Sequence, residues 1–334
     1  MKRKQALETL GKASTAALLF GSGITRALAA PGWTPTRHVD FIVPTPASGA
    51  LDLGARLIQN LWQKEHLLPT SSTVLNKPGG GHSLALYFLS QQRGNPYYLE
   101  IDSPALLTGK LVGRTKLTYT DFTPLATMYT EYIAFAVRAD SPLKTGREFI
   151  ERLKTHPESL SVAIASARGG SHDIALGMLL KDARIDPKRV KTVVFNTSGE
   201  ASLQLLGGHV DVIVASISPL VSMLKAGRFR LLAVTSPHRL TGELASVPTW
   251  QEQGLDATFA NWRLIQGPAG LSAAQTQYWA NLIERTTKVK AFQTELARLS
   301  LTLDYRAGPA LTDFLKSDAA RFHDALAYLG ELKS

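Results

Sequence analysis

Residues 39–56 read Val39-Asp-Phe-Ile-Val-Pro-Thr-Pro-Ala-Ser-Gly-Ala-Leu-Asp-Leu-Gly-Ala-Arg56. The first five are β-rich, the loop after them is built of small residues and prolines, and from position 51 apolar residues return at helical spacing as far as 64. The same order of strand, small-residue loop and helix recurs three times. It appears as 73–75, loop 76–83 and helix 84–91; as 160–165, loop 166–172 and helix 173–181; and as 192–195, loop 196–199 and helix 200–206. Two further strands are expected at 210–215 and 230–235. Alternation of this kind argues for parallel sheets wrapped by helices. The first and third loops also share a local pattern, Ser48-Gly49-Ala50-Leu51-Asp52-Leu53 against Gly169-Gly170-Ser171-His172-Asp173-Ile174. Two such loops suggest two similar domains facing each other across a gap.

The whole chain has 334 residues, 44% apolar and 19% charged, a globular balance that excludes a disordered or fibrous protein and leaves room for two cores. It has no cysteine, which removes disulfides, thiolate nucleophiles and cysteine-based metal sites. Residues 1–29 read as an export signal: Lys2, Arg3 and Lys4, an apolar stretch over 13–24, then Ala27-Leu28-Ala29 as the cleavage pattern, with cleavage expected after Ala29. The basic pair is Lys-Arg, so secretory and twin-arginine export both stay open. Without that segment the formal charge falls from +10 to the balance of 32 basic and 26 acidic side chains. The surplus is scattered, so no nucleic-acid surface is expected, although small anions are favoured. No later run is long enough to span a membrane.

A helix starts with backbone N–H groups that lack intrahelical partners, and its dipole adds partial positive charge there. Glycine in the preceding loop lets an anion come close. Ser48, Ser83, Ser166, Ser171, Thr197 and Ser198 offer hydroxyls to such an anion; Arg168, His82 and His172 offer charge. Asp52 and Asp173 are expected to cap their helices rather than touch an anion that they would repel. Trp262 either lines a cleft or fills a core, with the core favoured. In the C-terminal third, Leu311, Phe314, Leu315, Phe322, Leu326 and Leu329 form one apolar helical face.

Catalytic and cofactor signatures are missing. No His pair has metal spacing, the phosphate loop of nucleotide hydrolases is absent, and Leu84 stands where a dinucleotide loop needs glycine. Ser141-Pro-Leu-Lys144, Ser222-Met-Leu-Lys225 and Lys144-Thr145-Gly146 match fragments of serine acylases, in the wrong order and without the third element. No metal and no cofactor are expected.

Residues 42–56 resemble the first ligand loop of the substrate-binding proteins of tripartite tricarboxylate transporters, the Bug family. Residues 74–82 are similar to that family's second loop, Asp121-Phe-Thr-Pro124 to its marker before the interdomain crossover, and residues 165–172 to the ligand loop of its second domain. Leu205-Leu-Gly-Gly-His-Val-Asp211, then Ala226-Gly, Leu232-Ala-Val-Thr235, Val247-Pro-Thr249, Trp262 and Gly267-Pro-Ala-Gly270 continue the likeness in order. It departs at Thr45, where the family usually has an aromatic, at Ala47-Ser48, at Leu75 and at His82.

The resemblance implies a periplasmic-binding-protein-like α/β fold: two doubly wound domains, 30–131 with 257–334 and 132–256, joined by two crossover segments around a ligand cleft. It implies an exported, periplasmic, non-catalytic receptor, expected as a monomer, that closes on a small organic carboxylate and presents it to the transporter's membrane subunits. The contacts implied lie at Thr45, Ser48, Gly49 and Ala50, at Gly80 and His82, at Ser166, Arg168, Gly169, Gly170, Ser171 and His172, and at Thr197 and Ser198. Arg168 is the expected ligand-selecting charge. Two alternatives stay open: an exported serine hydrolase using Ser171 and His172, and a ligand-sensing subunit of a signalling system.

Overall fold

In the computed structural model, residues 32–165, 167–195 and 197–333 are described. The expected export signal, Ser166 and Asn196 lie outside them. Along the chain run β1 (Val39–Val43), α1 (Ala50–Lys64), β2 (Ser72–Asn76), α2 (Ser83–Ser90), β3 (Tyr98–Asp102), α3 (Ala105–Leu111), β4 (Phe122–Arg138) and α4 (Gly146–Thr155). Then come β5 (Ser161–Ala165), α5 (Ser171–Asp182), β6 (Lys191–Phe195), α6 (Ser198–Leu206), β7 (Val212–Ser216), α7 (Val221–Lys225) and β8 (Phe229–Val234). The chain ends with β9 (Ala260–Pro268), α8 (Ala273–Lys288), α9 (Lys290–Arg298), β10 (Thr302–Ala307) and α10 (Gly308–Leu329). All four strand–loop–helix units form within a residue or two of their expected places.

The sheet follows the order β2-β1-β3-β9-β4-β7-β5-β6, with β8 and β10 also paired to β4. β1 runs parallel to β2 and β3, and β5 parallel to β6 and β7. The expectation of wholly parallel sheets needs correction: β9 is antiparallel to β3 and β4, while β7, β8 and β10 are antiparallel to β4. Return strands from distant parts of the chain close each parallel core, and their neighbours cannot be read from local pattern.

β4 organises the rest. Its 17 residues are rich in β-branched and aromatic side chains and contain no glycine. Pro124, which cannot donate to the ladder, lies near its start, where the register shifts before Ala126. At roughly 3.3 Å per residue such a strand is about 55 Å long, enough to serve two sets of partners. Residues from Phe122 to Tyr132 pair with β9, whereas Ile133 to Arg138 pair with β7 and β8.

Side chains on the two faces of these strands have different fates. Trp262 points away from the site described below and is fully buried, with its indole N–H donating to Asp318 Oδ2 at 3.0 Å, so the core reading holds. Helix α10 buries Leu311, Leu315, Phe322 and Leu326 of the expected apolar face and packs on α3 and α5. No helix among the described residues is long and apolar enough to cross a membrane.

Candidate functional site

The first and third loops have the same geometry. Ser48 and Gly169 both take left-handed backbone, φ 66° and 70°. The next residues, Gly49 and Gly170, are extended and form the N-caps of α1 and α5. In each loop that glycine donates its N–H three residues back, to Pro46 O at 3.3 Å and to Ala167 O at 2.9 Å. The acid in the first turn of each helix then grips the loop from the other side. Asp52 Oδ2 accepts the Ser48 N–H and Asp173 Oδ2 accepts the Gly169 N–H, both at 2.8 Å.

These acids hold the loops, so the helix starts do not need side-chain caps. Neither Gly49 nor Gly170 supplies one. By contrast α4 and α8 carry full capping boxes, and α6 is capped by Thr197, whose Oγ1 accepts the Glu200 N–H at 3.1 Å. The first turns of α1 and α5 thus have no side-chain cap, the state in which a helix start can take an anion. The two acids differ in their surroundings. Burial raises the Asp52 carboxyl, but hydrogen bonds from Arg56, Asn76 and Ser48 outweigh it and hold the group below its ordinary value. At Asp173 burial prevails over the Gly169 amide and Arg168, and the carboxyl is pushed up.

A cavity of about 600 Å³ is bounded by Ala50 at the start of α1 and Ser198 at the start of α6. Its sides carry Leu53, Leu57, Pro219, Leu296, Leu299 and Leu301 together with the charged Arg56, Glu295 and Arg298, and its floor carries Tyr129, Glu131 and Arg263 from β4 and β9. The third loop is tied to this floor and side. Ser171 Oγ donates to Asn261 Oδ1 at 3.2 Å, His172 Nε2 lies 3.3 Å from Ser216 Oγ, and the Ser216 N–H reaches Ser198 Oγ at 3.4 Å. His172 is buried, and burial followed by the charge of Arg263 lowers its pKa to about 4, so it is neutral near pH 7. Ser171 and His172 thus have different partners, which is not the arrangement of a nucleophile and its base.

The remaining expected residues lie elsewhere or beside the cavity. Thr45 packs next to Gly49, and its hydroxyl is buried without a hydrogen-bond partner. Gly80 and His82 are not among the cavity-lining residues: His82 Nδ1 sits 2.6 Å from Asp102 Oδ1, at the start of α2. Arg114 packs against Gly81 and donates to the Arg168 carbonyl at 2.5 Å, linking the second loop to the third. The Arg168 guanidinium turns to Asp173 Oδ1 at 3.2 Å and lines a separate surface hollow with Pro187, Leu329 and Glu331. The buried charges in the cavity lining are Arg263 and its partner Glu131, which sequence reading missed; Arg56, Glu295 and Arg298 line it as well. Arg263 follows Trp262 in β9, and alternation along a strand puts it on the opposite face. Among the described residues no group of side chains is placed to hold a metal ion.

The sequence profile described as "Tripartite tricarboxylate transporter family receptor" matches residues 55–326. The chain belongs to that family. A solved solute-binding protein of this family from Polaromonas is 25% identical, superposes with a TM-score of 0.76, and is covered over 99% of its length by 88% of this chain. Two Rhodopseudomonas palustris proteins share the fold. One, with bound malate, has a TM-score of 0.70 at 24% identity, covering 87% of this chain and 99% of that protein. The other, with adipate, has a TM-score of 0.74 at 22% identity, covering 89% and 98%. The tripartite tricarboxylate transporter receptors are periplasmic solute-binding proteins, and the α/β fold with its mixed sheet is theirs. The family's role is capture of a solute rather than its conversion.

Proposed function

We propose that this receptor binds a small organic carboxylate in the cavity between the starts of α1 and α6, without chemical change, and passes it to the membrane subunits of a tripartite transporter. One observation carries the reading: a cavity walled in part by leucines has uncapped helix amides at its edge and a buried guanidinium on its floor. Amides and guanidinium suit carboxylate oxygens, and the leucine sides suit a short hydrocarbon body. The acids held by the two R. palustris proteins are of that type.

In this proposal Ala50 meets the ligand from one lobe and Ser198 from the other. Thr45, Ser48 and Gly49, and Gly169, Gly170, Ser171, His172 and Thr197, shape the loops beside them. The lobes are 30–131 with 257–334 and 132–256, hinged where β4 and β9 run side by side. The chain is exported with cleavage after Ala29 and acts as a monomer.

A thermal-shift screen of mono-, di- and tricarboxylates and aromatic acids tests the reading. A binder at a hundred times its Kd adds about 2.7 kcal/mol. For a protein of this size that raises Tm by roughly 5 °C. A broad panel that leaves Tm unmoved would remove the carboxylate reading.

A further inference from the structure

Where β4 and β9 run together, Tyr129 pairs with Arg263 and Glu131 with Asn261, so alternation sets these four side chains on one face. That face is polar. On the other face Thr130, Trp262 and Leu264 are wholly buried. A hinge needs no charge here, and burying two charges is costly unless hydrogen bonds repay it. They repay it only in part. Arg263 Nη1 donates to the carbonyls of Asn261 at 2.7 Å and Trp262 at 3.1 Å, but Nη2 stands 3.6 Å from Glu131 Oε2. Arg263 Nε is buried with no hydrogen-bond partner. Arg263 and Glu131 are both at least nine-tenths buried and both line the cavity.

We propose that Arg263 and Glu131 act as a specificity pair, selecting carboxylates that carry a hydrogen-bond donor on the neighbouring carbon, that is, 2-hydroxy and 2-amino acids. The inference rests on the carboxylate reading above and deepens it. The guanidinium takes the carboxylate, and Glu131, an acceptor without donors of its own, takes the adjacent O–H or N–H. An unsubstituted acid offers Glu131 only C–H or another negative charge. His172 is neutral near pH 7 and adds no charge of its own beside Arg263.

Calorimetry on the full mature chain tests this with two matched sets, succinate against malate and aspartate, and adipate against 2-hydroxyadipate and 2-aminoadipate. A charge-assisted hydrogen bond predicts that the substituted acids bind about tenfold or more tighter than their parent. In Glu131→Gln that preference should shrink to about threefold or less. Because a lone Arg263 charge could unfold the variant, Glu131→Gln combined with Arg263→Gln is measured too, and should lose the preference likewise. Parents binding as tightly as their derivatives would overturn the proposal, as would a preference that survives in whichever variant folds. Either result leaves the carboxylate reading standing. Failure of every acid to bind the wild type would remove both.

Discussion

His172 and Glu100 are buried ionisable groups that make stability depend on pH in opposite directions. His172 has its pKa lowered to about 4 by burial and by Arg263, so in acid the unfolded chain takes up a proton that the fold resists. Stability from this group is complete above about 6.5 and is lost as pH falls toward 4, by about 3 kcal/mol at 1.36 kcal/mol per unit. Denaturant melts of ligand-free protein at pH 7 and pH 4.5 should show His172→Gln losing less than wild type between the two. Glu100 behaves the other way. Burial, then the charge of Asp102, raises its carboxyl well above the ordinary value. The fold therefore holds a proton that the unfolded chain releases, and stability falls as pH climbs from about 4.5 through the raised value. Glu100→Gln should gain stability at pH 8 relative to pH 4.5, seen as a higher Tm at pH 8 only; an equal change at both would show that the carboxyl is not what titrates.

Single residues were also where sequence reading was weakest. The charge of Arg168 is legible in the sequence, but its direction depends on Asp173, which draws the guanidinium back to its own helix. Arg263 and Glu131 lie more than 130 residues apart in the chain and meet only because β4 pairs with β9. Nothing local announces that meeting.

At the scale of elements the sequence was far more legible. The match of Ser48–Leu53 to Gly169–Ile174 proved to be one loop geometry used twice, because a left-handed residue, an extended glycine and a gripping acid are local requirements that the residues themselves express. The strand partners of β3, β4 and β9 were not legible, since antiparallel return strands are set by tertiary contacts. Packing between α1 and β4 supplies a test of the cavity floor. A Cβ on Gly54 would lie 2.0 Å from the Tyr129 hydroxyl oxygen. Gly54→Ala should therefore cost about 1–3 kcal/mol despite its better helix propensity. Adding Tyr129→Phe, which deletes the offending oxygen, should restore most of the loss in the same melts. No recovery in the double variant would mean that α1 does not rest on that hydroxyl.

For the whole molecule the proposed division puts the four loops on two lobes that approach each other over the floor of β4 and β9. Closure on a ligand should lower the radius of gyration in small-angle scattering with a saturating acid, while an acid that fails to shift Tm should leave it unchanged. Helix α10 packs on both α3 and α5, so a closure of this kind would have to carry it along.

The most direct measurement is a crystal structure of the receptor with the tightest acid from the screen. The account predicts one carboxylate within hydrogen-bonding distance of the first-turn amides of α1, inside the cavity floored by Glu131 and Arg263. An acid bound instead at the exposed basic hollow of Lys110, Lys116 and Lys333, with that cavity filled only by water, would contradict it.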